Sequence, residues 1–112
     1  MAERQNLGEF EQVVLLAILR LRDRAYGASI RTEIAKCTQR EPTPGALYTT
    51  LDRLEDKGLV KTNMGHPTPE RGGRRKRFYK VSPAGVDAVA RAQTAFRRLL
   101  DGVELPGVAC VY

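Results

Sequence analysis

The sequence predicts a mainly α-helical fold with one small β-hairpin and a last helix suited to pairing with a second copy. Three observations carry that prediction. The stretch TPGALYTTLDRLEDKGLV, residues 43–60, is an amphipathic helix marked at both ends. Two short alternating segments, 59–62 and 77–81, flank a loop rich in Pro, Gly and cations. Beyond them, Ser82-Pro83 opens a helix whose apolar positions keep coiled-coil spacing.

The first helix spans residues 7–22. Asn6 is its candidate cap, and Glu9 three residues on completes an approximate capping box. Leu7, Phe10, Val14, Ala17 and Leu21 form one face, yet Val13, Leu16 and Ile18 are apolar too. A helix apolar on several sides has more than one neighbour, so it is predicted at the centre of the core and in contact with a second subunit. A polar turn, 22–25, leads to a second helix that opens at Tyr26-Gly27 and runs to about Cys37. Ile30, Ile34 and Cys37 should face inward, leaving Arg31, Glu33 and Lys36 to water.

The third helix, 43–57, has Thr43 as N-cap and Pro44 at the first helical position, where a missing N–H costs nothing. Gly58 supplies the left-handed residue that stops it. Leu47, Leu51 and Leu54 make one narrow apolar stripe, and Tyr48, Thr49, Asp52, Arg53 and Asp56 lie opposite. Gly45 and Ala46 leave the first turn bare. A bare, positively polarised helix N-terminus suits close contact with phosphate. Helices two and three then form a helix-turn-helix with the third as recognition helix.

The two strands and their basic loop complete a winged helix-turn-helix over residues 1–81. Val60, Phe78 and Val81 are expected to anchor the wing. Tyr79, next to Phe78, then falls on the outer face with its hydroxyl free for a phosphate. Residues 61–80 hold seven Lys and Arg against one acid, Glu70, a net of +6, while the rest of the chain balances at twelve and twelve. All the excess charge is therefore one patch, and a polyanion is the expected partner. Gly72 and Gly73 make the tip flexible, and Arg71, Arg74, Arg75, Lys76 and Arg77 stand too close together to be only a solvated loop. The DNA-binding set predicted on this basis is Thr43, Pro44, Gly45, Tyr48, Thr49, Arg53, Lys61, Arg71, Gly73, Arg74, Arg75, Lys76, Arg77 and Tyr79. Two of these have competing roles: Tyr48 beside the apolar stripe could pack in the core, and Arg53 could pair with Asp52 or Asp56.

Residues 82–112 are read as a dimerisation helix to about Asp101 and a short irregular tail. Val86, Val89, Gln93, Phe96, Leu100 and Val103 alternate at spacings of three and four, an a/d seam. The predicted dimer interface is Leu7, Phe10, Val14, Val86, Val89, Gln93, Phe96 and Leu100, with Gln93 as the polar register residue. The competing arrangement folds the last helix back onto helix one of the same chain.

Other function classes find little support. No apolar run approaches the roughly 20 residues that span a bilayer, and MAERQN is not the start of a secretion signal. Cys37 and Cys110 fit no metal or redox spacing, so a cytoplasmic protein with reduced thiols is expected. His66 is the sole histidine and has no partner ligands, so no metal or cofactor is expected. There is no phosphate loop after a strand, no nucleophile with a base, and no paired carboxylates, which argues against an enzyme. The remaining alternatives are a winged-helix protein-interaction module and a nonspecific nucleic-acid binder.

The chain resembles the PadR family of bacterial transcriptional regulators over about residues 7–101. The likeness lies in LGEFEQVVLLAIL, in Tyr26-Gly27, in PGALYTTLDRLEDKGLV and in RKRFYKVSPAG. Gly45, Leu47, Tyr48, Leu51, Leu54, Gly58, Leu59, Tyr79 and Ser82-Pro83-Ala84-Gly85 are its specific carriers, and the similar MarR group lacks this string. The resemblance implies a dimer formed through the C-terminal helix with help from the first, binding a palindromic operator in double-stranded DNA and usually repressing. It also implies a small-molecule effector as a candidate partner. Some relatives stack a planar effector on Trp, and this chain has no Trp.

Overall fold

A computed structural model describes residues 7–65 and 76–106. The chain runs α1 (Glu9–Leu21), a 3-10 turn (Arg22–Arg24), α2 (Gly27–Thr38), α3 (Pro44–Asp56), β1 (Val60–Met64), β2 (Arg77–Val81) and α4 (Pro83–Leu100). Four helices and one antiparallel hairpin, with Val60 opposite Val81 and Met64 opposite Arg77, make a winged helix. A short pairing of Tyr26 with Phe78 and a bond from the Tyr79 N–H to the Ala25 carbonyl (2.8 Å) fasten β2 to the entry of α2.

As its sequence requires, α1 is the centre of the core. Val14, Leu15, Ala17 and Ile18 are all buried, and α1 packs against α2, α3, β2 and α4. Its cap differs from the expected one. Gly8 is the N-cap, and the Glu11 carboxylate accepts the Gly8 N–H at 2.7 Å. Asn6 lies outside the described residues.

The third helix ends as its sequence specifies. Gly58 takes φ +76°, its N–H donates to the Glu55 carbonyl and the Leu59 N–H donates to that of Leu54, both at 2.9 Å. By contrast, α2 stops on Gln39 in the left-handed region, and two residues earlier Cys37 is exposed rather than inward. The inward stripe ends with Ile34; Cys37 instead donates to Glu33 on the outer side.

The last helix is covered over its first half only. Gly85, Ala88 and Val89 are buried, and Gln93 donates to Gln12 of α1 at 3.2 Å. Val89 and Val14, both predicted to face a second subunit, belong instead to the core of the single chain, and Gln93 already has an intrachain partner. Past Gln93 none of the described residues covers the apolar side of the helix: Phe96 is 64% and Leu99 76% exposed. The fold-back alternative thus describes the first half of α4.

Candidate nucleic-acid interface

Recognition begins with how α3 is held. Leu47, Leu51 and Leu54 have no exposed surface, and Thr50 is buried beside them. That fixes the helix's rotation and leaves Gly45, Tyr48, Thr49, Asp52, Arg53 and Asp56 outward, all exposed. Thr43 caps the N-terminus by accepting the Ala46 N–H at 3.1 Å, and Pro44, Gly45 and Ala46 stand open to solvent. The turn into the helix is braced by Arg31, whose Nε donates to the Pro42 carbonyl at 3.0 Å.

Both ends of α3 are tied to the first turn of α1. Arg40, just ahead of the helix, pairs with Glu9 at 2.7 Å and lies 5.2 Å over the Phe10 ring. Lys57 at the other end pairs with Glu11 at 2.9 Å. Burial pushes the Glu11 carboxyl up, but the Lys57 ammonium and the Gly8 N–H outweigh it and hold the group below the usual carboxylate range. Arg53 forms no ion pair with Asp52 or Asp56; it is exposed and available.

The hairpin places Lys76 and Arg77 beside Tyr48 and Asp52 of α3, while the exposed Lys61 and Lys80 are cross-strand partners and Lys80 borders the opening toward α1. Tyr79 corrects an expectation. It, and not Phe78, faces the core, with 4% of its surface exposed, while Phe78 is half-buried against Tyr26 with the rings edge to face at 5.6 Å. Period two puts neighbouring residues on opposite faces; the bond to Ala25 selects which one turns in. Burial pushes the Tyr79 phenol up, against the opposing pull of Arg77. Its ring is therefore structural, although it still borders a cleft with Tyr48, Asp52, Lys76 and Arg77.

That cleft contains residues sequence reading passed over. Tyr26, Gly27 and Ala28, at the start of α2, form its far wall. The Lys76 ammonium sits 4.1 Å from the centre of the Tyr26 ring, a cation–π contact. The Tyr48 hydroxyl lies where a Cβ on residue 27 would be, so Gly27 exists there to let it in. Tyr48 therefore lies on the surface between α2 and the wing, not in the core. In the sequence the Tyr-Gly pair marked a helix start and a family likeness. Its second role needed the fold.

Of the predicted contact residues, Thr43, Pro44, Gly45, Tyr48, Thr49, Arg53, Lys61, Lys76 and Arg77 are exposed. Arg71, Gly73, Arg74 and Arg75 lie outside the described residues, as do His66 and Cys110. Among the described residues, no group of three or more His, Cys, Asp or Glu gathers as a metal site, and no helix is long and apolar enough to cross a membrane.

The model of the Transcriptional regulator PadR-like family matches residues 15–91. No curated protein matches the chain. Among solved structures, a PadR family transcription regulator from Clostridium difficile R20291 is similar with TM-score 0.67 and 22% identity, over 82% of this chain and 92% of that one. A hsRosR-S1 complex structure gives 0.66 and 26%, over 87% and 79%. F93 from STIV, a winged-helix DNA-binding protein, gives 0.68 and 16%, over 89% and 100%. The family match spans well over half the chain and the same elements that build the interface, and the chain belongs to the PadR-like family, as a DNA-binding transcriptional regulator.

Proposed function

We propose that two copies of this chain bind a palindromic operator in double-stranded DNA and repress transcription from it. In this reading α3 enters the major groove with its N-terminal turn leading, and the wing cations hold the flanking phosphates. Pairing is through the distal half of α4. The observation that supports it is the exposed apolar run Phe96, Leu99, Val103 and Leu105, which none of the described residues covers. Leu7 ahead of α1, Phe10 on α1 and Leu100 on α4 are half-buried and keep surface for the same interface. Two-fold pairing then sets two half-sites about one helical turn apart. For an effector, the opening between α1, β2 and α4, bordered by Ile18, Leu19, Phe78, Val81 and Val86, is the apolar place to enter.

The test is fluorescence anisotropy on DNA from upstream of the protein's own gene and on a scrambled duplex, across a salt series. Binding about a thousandfold tighter to the upstream duplex is expected. Equal, steeply salt-dependent binding to both would leave a nonspecific binder instead.

A further inference from the structure

Among the described wing cations, Lys76 alone sits on a ring. Its ammonium lies 4.1 Å from the centre of the Tyr26 ring, and Lys61, Arg77 and Lys80 have no such face beneath them. Lys76 is exposed and forms no ion pair among the described residues. Tyr26 is itself held in place. Its N–H donates to the Ser29 hydroxyl at 2.9 Å, its backbone pairs with Phe78, and its ring meets the Phe78 ring edge to face. Phe78 is confined in turn, since a Cβ on Gly65 would overlap its ring, and the Gly65 N–H donates to the Lys76 carbonyl at 2.7 Å. Lys76 and Phe78 are two residues apart, the spacing that puts side chains on one face of an extended chain, and both close on Tyr26.

This arrangement lowers a cost of binding. A free lysine samples many rotamers, and holding it against one phosphate costs the entropy of its long side chain. An aromatic face limits that freedom beforehand and leaves the charge intact. The ring occupies one side of an ammonium that has three N–H donors, so donors remain for a ligand. The cleft that Lys76 borders holds two cations, Lys76 and Arg77, against one carboxylate, Asp52, which favours an anion there.

We propose that Tyr26 is a positioning residue for DNA binding, holding the Lys76 ammonium ready for one backbone phosphate at the root of the wing. This rests on the reading that the wing cations hold the flanking phosphates. The test is anisotropy with the full-length chain on the upstream and scrambled duplexes across a salt series, since a phosphate contact does not depend on sequence. Lys76→Gln should flatten the slope of log affinity against log salt by about one for each copy bound, equally on both duplexes. Tyr26→Leu should weaken binding about fivefold, and Tyr26→Phe, which keeps the ring, should match the wild type. In the Lys76→Gln background, Tyr26→Leu should cost nothing more. An equal loss in that background, or a Tyr26→Phe as weak as Tyr26→Leu, overturns the assignment while the wing contact stands. A slope untouched by Lys76→Gln removes the phosphate contact itself. A wild type that binds neither duplex at low salt overturns the DNA reading as well. The wild-type NMR spectrum needs no variant to fold: the Lys76 ε-methylene protons should be shifted upfield by the ring, and ordinary positions would overturn the assignment.

Discussion

Helices α3 and α4 are written in the same local grammar and end in different circumstances. Each has a hydroxyl N-cap followed by Pro, and each carries a regular apolar stripe. The stripe of α3 is wholly covered by its own chain, so its outer face is the part left to act. The stripe of α4 is buried at Val89, while Val86 and Phe96 stand exposed among the described residues, so there the apolar face itself is left to act. Periodicity reveals that a stripe exists. What covers it depends on where the rest of the chain goes, and that is tertiary information.

The contrast can be broken most forcefully at α3. Leu51→Ala leaves a void at the contact with the core and should cost about 2–5 kcal/mol in urea unfolding. A comparably small loss from Leu51 as from Phe96→Ala would erase the difference between the helices. At α4 the effect should be on assembly. Phe96→Asp is expected to leave the unfolding of the single chain nearly unchanged, while light scattering reports a monomer and operator affinity falls roughly a hundredfold with the loss of the second half-site. A dimer that persisted would move the pairing surface elsewhere.

The smallest changes sharpen the comparison between the caps. Thr43→Ala removes one bond to an exposed helix start and should cost about 1 kcal/mol. Ser82→Ala should cost more, up to about 2 kcal/mol, because the buried hydroxyl also donates to the Gly58 carbonyl at 2.7 Å. Thermal melts of the two variants give the order directly.

Much of this architecture was legible beforehand. Thr43, Pro44, Gly58, Ser82 and Pro83 mark ends by covalent geometry and local hydrogen bonding, and those positions came out as expected. Misreadings fell where a choice depended on a distant neighbour. Alternation said that one of Phe78 and Tyr79 turns inward, but the backbone of Ala25 decides which. Val14 and Val89 fit a seam by spacing and the core by location. Cys37 continued a stripe one turn beyond the surface it packs on. The ties from Glu9 and Glu11 to Arg40 and Lys57 join residues 31 and 46 positions apart, beyond any local pattern. Similarly, Tyr48 and Gly27 form one feature only after α2 and α3 are side by side.

The junction at Ser82 has a mechanical consequence. Its N–H donates to the Leu59 carbonyl at 2.9 Å and its hydroxyl to that of Gly58, while a Cβ on Gly85 would overlap the same Leu59 oxygen. The end of α3 and the start of α4 therefore meet without a spacer, backbone against backbone. Such a joint does not swivel, so the angle between the two helices is a constant of the chain. For any pair of protomers joined along α4, the span between their α3 helices behaves like that of a locked caliper, and DNA whose half-sites are mis-spaced must bend or twist to meet it.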